Sequence, residues 1–133
     1  MIRIYDSGYR GDCRTERCEQ IDSISWLSFN YPERFPLIFH CPGETKASPQ
    51  HMQMRAKEGV RAGVPDIIDL GGIVGLFELK RLDSKKSKVS PEQKLFLTNS
   101  AKAGHFAAIC YGFEQFRLAY ADYLSFIASK QLT

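Results

Sequence analysis

Asp66-Ile67-Ile68-Asp69-Leu70-Gly71-Gly72-Ile73-Val74-Gly75-Leu76-Phe77-Glu78-Leu79-Lys80 is the stretch that decides the fold class. It reads as two short apolar strands, 66–70 and 74–80, joined through Gly71-Gly72, a strong hairpin signal. Side chains alternate across a strand, so Glu78 and Lys80 project from one face and Leu79 from the other. With Asp66 at the start of the partner strand, its carboxylate can sit beside Glu78. Charged residues are placed here inside apolar sequence, where a turn meets a buried strand.

Upstream, residues 60–65 form a turn-rich approach, and residues 49–58 predict a helix ending near Gly59. Residues 37–40 read as a short strand closed by Cys41-Pro42-Gly43. Tyr31-Pro32-Glu33-Arg34-Phe35-Pro36 interrupts a preceding helix over about residues 12–29, because proline lacks the amide donor. Asp12 or Thr15 caps that helix, and Cys18, Ile21, Ile24 and Leu27 recur at near-helical spacing toward the core. Residues 1–11 carry no clear periodic element and are expected to be a loosely held N-terminal arm.

Downstream, residues 81–88 are a charged loop. Ser90-Pro91-Glu92-Gln93 opens a helix with serine at the cap and proline in the first turn, and the helix ends near Gly104. Residues 106–111 form another buried strand. Phe113, Phe116, Tyr120, Tyr123, Leu124 and Ile127 make an amphipathic C-terminal helix whose aromatic stripe packs in the core. The order helix, strand, helix, strand, strand, helix, strand, helix implies an α/β fold: a mixed central sheet flanked by helices.

Composition agrees with one domain spanning 1–133. Hydrophobic residues make up 44% and charged residues 25% of 133 residues, ordinary globular usage for a chain of single-domain length. No apolar run approaches the roughly 20 residues of a membrane span, and residues 1–6 lack a signal-peptide stretch. A cytoplasmic protein with no membrane partner is expected. Cys13, Cys18, Cys41 and Cys110 show no C-x-x-C or zinc-type spacing, so they read as reduced packing residues.

Net charge is only +3, but its distribution is uneven. Between residues 80 and 102, Lys80, Arg81, Lys85, Lys86, Lys88, Lys94 and Lys102 face only Asp83 and Glu92. Such local excess suits a phosphate backbone, whose neutralisation releases counterions. Two adjacent carboxylates repel unless a cation lies between them. Asp66 and Glu78 therefore point to a hard, oxygen-preferring ion, Mg²⁺ or Mn²⁺. Such an ion polarises a phosphoryl oxygen and lowers the pKa of a bound water. Lys80 can stabilise developing phosphorane charge or orient the water.

Three ordered motifs carry a resemblance. Lys57-Glu58-Gly59-Val60-Arg61-Ala62-Gly63-Val64-Pro65-Asp66-Ile67-Ile68, Gly75-Leu76-Phe77-Glu78-Leu79-Lys80-Arg81 and Ser90-Pro91-Glu92-Gln93 together resemble the virus-type replication-repair nuclease (VRR-NUC) domain. That domain is part of the PD-(D/E)XK nuclease superfamily. The resemblance runs from the first helix to about Gly112. It implies a restriction-endonuclease-like core in which Asp66, Glu78 and the Leu79 carbonyl hold the metal and Lys80 completes the site. The family's Ser-x-x-Gln signature falls on Ser90 and Gln93, with Gln93 facing the site from its helix. A glutamate on the first helix is also implied; Glu19 is the first choice and Glu16 the alternative.

The resemblance further implies a structure-specific DNA endonuclease, comparable with Holliday-junction resolvases and working as a homodimer on branched DNA. Two sites related by a two-fold axis cut two strands symmetrically. Arg61, Lys85, Lys86, Lys88 and Ser90 are the expected DNA contacts, and His40 lies where a loop approaches the site. The alternative is a non-catalytic DNA-binding module that keeps the fold. Loss of one acid would mark it, and Asp66, Glu78 and Lys80 are all present.

Overall fold

The computed structural model describes residues 1–42 and 48–131. Gly43, the last residue of the loop expected after the strand at 37–40, lies outside them. The hairpin forms as β3 (Ile67–Asp69) and β4 (Gly75–Lys80), paired antiparallel with Ile67 opposite Phe77 and Asp69 opposite Gly75. Asp69 Oδ1 accepts the Gly71 amide at 2.8 Å, turning the chain at the end of β3. β2 (Ile38–His40) adds antiparallel to β3, one residue shorter than the apolar run because residues Phe35–Leu37 coil into a 3-10 turn.

On the other side β5 (Phe106–Tyr111) runs parallel to β4, and β1 (Arg3–Tyr5) runs parallel to β5. The sheet order is β1-β5-β4-β3-β2, so β4 is central and buried along its whole length. Its helices are α1 (Glu16–Asn30), α2 (Pro49–Glu58), α3 (Pro91–Lys102) and α4 (Phe113–Gln131). This is the expected mixed sheet flanked by helices. Among the described residues no helix is long and apolar enough to cross a membrane.

The two faces of β4 bury different material. Phe77 and Leu79 pack against Phe116, Tyr120 and Tyr123 of α4 and Leu27 of α1. Each such fully buried apolar side chain contributes roughly 1.5–3 kcal/mol. The aromatic stripe of α4 is thus core, with Phe77 edge-on to Phe116 and Tyr123. On the opposite face Leu76 meets Leu97 of α3 and Ile109 of β5. Glu78 and Lys80 share that face with Leu76, because they lie two and four residues further along the strand.

Three expectations are corrected. The first residues are not a loose arm throughout, since residues 3–5 form β1 with partners more than 100 positions away. α1 starts at Glu16, capped by Thr15, but its buried face is Glu19, Ser23 and Leu27, whereas Cys18 and Ile21 are exposed. Glu19 is drawn inward by Arg14 and by the first amide of α4, and that polar anchor sets the helix phase. Of the four free cysteines only Cys110 is fully packed away, and Cys18 is exposed.

Candidate active site

The end of the β3–β4 pairing creates the site. Pairing stops at Ile67 opposite Phe77; one residue earlier the Asp66 side chain takes the place of the next main-chain partner. Its Oδ2 accepts the Leu79 amide at 2.8 Å. Main-chain N–H and C=O of one strand residue point to the same side, so the Leu79 carbonyl is turned toward the same gap. The Asp66 carbonyl is fixed by the Cys41 amide at 2.9 Å and by His40 Nδ1 at 2.8 Å. His40 therefore touches the main chain of the site, with its ring exposed.

Glu78, almost fully buried, presents Oε2 to Gln93 Nε2 at 2.7 Å and to Lys80 Nζ at 3.5 Å. Gln93 is held in turn by a capping box: its Oε1 accepts the Ser90 amide at 2.9 Å, and its own amide donates to Ser90 Oγ at 3.1 Å. One glutamine thus both starts α3 and aims a donor at Glu78. The 60–65 segment lies against this turn only because Gly63 lacks a side chain. Its φ is +81°, and a Cβ there would sit 2.3 Å from the Glu92 carbonyl oxygen.

Lys80, also buried, donates to the Lys88 carbonyl at 2.9 Å, which folds loop 81–88 over the site. In the same loop Ser87 hydrogen-bonds Glu16. Neither contact had a side-chain signature in the sequence, since one acceptor is main chain and the other partner a lone serine.

The electrostatics follow from burial. Desolvation raises the Glu78 carboxyl to about 8, and the neighbouring Asp66 charge pushes the same way while Lys80 opposes it. Desolvation also raises Asp66, offset by the Leu79 amide and by a hydrogen bond shared with Glu78. Glu16 is close enough for its charge to raise both. Asp66 and Glu78 therefore lie together with Lys80 beside Glu78, and the charge of Glu16 acts on both carboxyls.

Of the two helical acids, the structure brings in Glu16 and not Glu19. Both Glu19 oxygens are taken by Arg14, at 3.0 and 2.9 Å, and Oε1 also accepts the Phe113 amide at 2.9 Å. Glu19 is a staple between the arm, α1 and α4. One turn beyond Glu16, hence on the same helix face, the Gln20 side chain has both amide atoms buried without a hydrogen-bond partner. A buried orphan of this kind calls for a bound water or ion nearby.

The remaining expected contacts divide. Lys85, Lys86 and Lys88 are exposed on the loop beside the site. Ser90 Oγ is occupied by the cap. Arg61 is exposed and lines a cavity of about 530 Å³ with Ala62, Leu95, Phe96 and Asn99 against α3, away from the paired carboxylates.

No family model matches the sequence, and no curated protein is similar enough to count as a relative. A solved structure described as a VRR_NUC domain protein superposes with a TM-score of 0.70 at 23% identity, over 86% of this chain and 92% of its own. This chain has the VRR-NUC fold. At that identity only motif windows keep a readable signal, which accords with a resemblance carried by three short runs.

The donors suit a hard cation. Asp66, Glu78 and the Leu79 carbonyl are all oxygen, and the carboxyls are buried with too little positive charge of their own. Among the described residues no three His, Cys, Asp or Glu side chains form a ready-made cage. Mg²⁺ and Mn²⁺ do not require one, because Mg²⁺ in particular binds through one or two carboxylates and keeps several waters.

Proposed function

We propose that this chain is a divalent-metal-dependent DNA endonuclease, specific for branched DNA and comparable with Holliday-junction resolvases. The observation that carries this reading is the convergence of half-buried Asp66 and buried Glu78, each with a raised pKa, with Lys80 beside Glu78. The protein described as a VRR_NUC domain protein, whose fold this chain shares, points in the same direction.

In this reading Asp66, Glu78 and the Leu79 carbonyl hold Mg²⁺ or Mn²⁺, with Glu16 replacing Glu19 as the helical acid. The ion supplies Lewis acidity toward the scissile phosphate and makes a water nucleophilic at neutral pH. Gln93 fixes the Glu78 carboxylate in one rotamer, and such supporting hydrogen bonds tune ligand geometry. Lys80, held by the Lys88 carbonyl, keeps its ammonium beside the phosphate and stabilises the charge that builds there. The exposed Lys85, Lys86 and Lys88 grip the flanking backbone. One chain offers one such site, so symmetric cutting of a four-way junction requires a homodimer.

The test is cleavage of labelled four-way junction, flap and duplex DNA with Mg²⁺, Mn²⁺ or EDTA, alongside Asp66→Asn protein. Paired symmetric cuts in the junction, abolished by EDTA and by the substitution, are expected. Binding without cutting in any metal would instead support the DNA-binding module.

A further inference from the structure

The sheet face that carries the site is covered at one end and bare at the other. Leu76 in β4, Ile68 in β3 and Phe39 in β2 lie opposite one another in register, so their side chains form one row on one face. α3 closes over the β4 end of that row, where Leu76 packs with Leu97 and is 5% exposed. Outward along the row Ile68 is half-buried, and Phe39 at the sheet edge is 45% exposed. Next to them the Leu70 amide donates to the Leu37 carbonyl at 3.0 Å, and both side chains are about as exposed as Phe39. Helix α2, which follows β2, buries none of its residues and so does not close this area.

The strip is also free of charge. From Phe35 to Pro42 no residue is Asp, Glu, Lys or Arg, in a chain where such residues make up 25%. Between Ile67 and Phe77 the only one is Asp69, which is fully buried and bonded to Arg34 and Tyr120. β2 is the last strand of the sheet on this side. An open edge is ordinarily guarded by lysines or other charges; here Pro36 and Pro42 keep the strand short, but no charge repels a second strand. An apolar, uncharged surface offers nothing to a phosphate backbone, whose binding needs cations. It has the composition of the centre of a protein interface, where charged side chains are depleted. Near a two-fold axis each side chain meets its own counterpart, so a charged strip would repel itself and this one does not.

We propose that β2 is the centre of a two-fold interface with a second copy of this chain, the axis passing beside Phe39. This rests on the nuclease reading, which needs two sites, and names the surface that joins them. An axis normal to the sheet pairs the two β2 edges antiparallel and puts Phe39 against its own copy. It also keeps both catalytic faces on one side, because rotation about the sheet normal does not turn the sheet over. Asp66 lies two residues before Ile68, hence on the same face and about 7 Å along the chain from it. The pairing therefore opens both sites toward one DNA.

Sedimentation without DNA or metal tests the interface, with circular dichroism confirming that each variant is folded. Wild type should sediment as a dimer. So should Leu118→Glu, a control at an exposed apolar position on α4. Phe39→Glu should sediment with half that mass, and so should Leu37→Lys, which carries the test if Phe39→Glu does not fold. Mixing Phe39→Glu with Phe39→Lys should restore the dimer, because an axis at residue 39 then brings opposite charges together. A monomeric wild type, a monomeric Leu118→Glu, strip variants that stay dimeric, or a mixture that stays monomeric would each overturn the proposal. Cleavage is scored separately. A wild type that dimerises through Phe39 yet cuts no DNA keeps the interface and loses the nuclease reading; a monomeric wild type that cuts does the reverse.

Discussion

Two aspartates three residues apart, half-buried Asp66 just before β3 and buried Asp69 at its end, meet opposite fates. Asp69, fully buried, faces α4: Oδ1 accepts Arg34 at 2.9 Å and the Gly71 amide at 2.8 Å, while Oδ2 accepts the Tyr120 hydroxyl at 2.6 Å. Its charge is matched by a guanidinium and its lone pairs by donors. Asp66 faces α3 beside Glu78, with burial and the Glu16 charge raising its pKa and His40 lowering it, while Lys80 sits 3.5 Å from Glu78. Both acids are removed from water, but one is neutralised by the protein and the other is not. A buried acid with a complete set of partners belongs to the fold; buried acids short of positive charge mark a place where something else binds.

The largest effects should separate these two. Asp66→Asn or Glu78→Gln removes a proposed metal ligand and relieves repulsion, so cleavage should fall by about a thousandfold or more, on the scale of losing a central electrostatic element. The melting temperature should stay level or rise. Asp69→Asn leaves Arg34 without its counter-ion and should cost on the order of 3 kcal/mol in chemical denaturation, with the cleavage rate of the folded fraction unchanged. An active Asp66→Asn protein would break the distinction. Lys80→Ala comes next, with a loss of roughly a hundredfold or more; a near-wild-type rate would make that lysine a structural counter-ion like Arg34.

The pH dependence of stability sharpens the same contrast. Glu78 titrates near 8 in the folded protein against 4.5 for a free glutamate. Between these values the metal-free folded state holds more protons than the unfolded chain, so stability falls as pH rises from about 4.5 to about 8 and levels off above. Thermal melts in EDTA should show that decline. Glu78→Gln should flatten it. Saturating Mg²⁺ should abolish it by taking the place of the shared proton. A melting temperature that rises over this range would contradict the assignment of Glu78 as a carboxyl held protonated by burial and by Asp66.

How far the sequence reveals this depends on whether a feature is local. The hairpin, β5 and the start of α3 were legible because Gly71-Gly72, the apolar runs and Ser90-Pro91-Glu92-Gln93 carry their own instructions. β1 was not, since three residues at a sheet edge gain their meaning only from β5, distant in the chain. The face of α1 was misread for a related reason: the partners that pull Glu19 inward, Arg14 and the Phe113 amide, leave no trace in apolar periodicity. Asp66, Glu78 and Lys80 could be named because strand alternation puts them near one another and the motif resemblance falls on them, and Gln93 because the resemblance's Ser-x-x-Gln signature coincides with the capping box of α3. From the letters Glu19 was preferred to Glu16, but both lie in the first turn, and only the tertiary partners of Glu19 tell them apart. The Lys88 carbonyl over Lys80 is main chain and invisible in any sequence.

The smallest expected effects are the most discriminating, because they remove one equivalent donor from each acid. Tyr120→Phe deletes the hydroxyl on Asp69, and Gln93→Ala deletes the amide on Glu78. Each is a single hydrogen bond to a buried carboxyl, worth on the order of 1–3 kcal/mol to stability if it is structural. For Tyr120→Phe that loss should appear in denaturation and leave the cleavage rate untouched. For Gln93→Ala the balance should tip to function: a carboxylate freed from its orienting donor should lower the rate or the metal affinity by about tenfold. Its stability cost should be smaller, since a raised pKa lets Glu78 keep a proton instead. If both variants lose stability equally and neither slows cleavage, Gln93 belongs with Tyr120 among the fold's own contacts. If Tyr120→Phe slows cleavage as well, the two ends of β3 are mechanically coupled, and Ile67 and Ile68 between Asp66 and Asp69 transmit strain rather than insulate the site from the core.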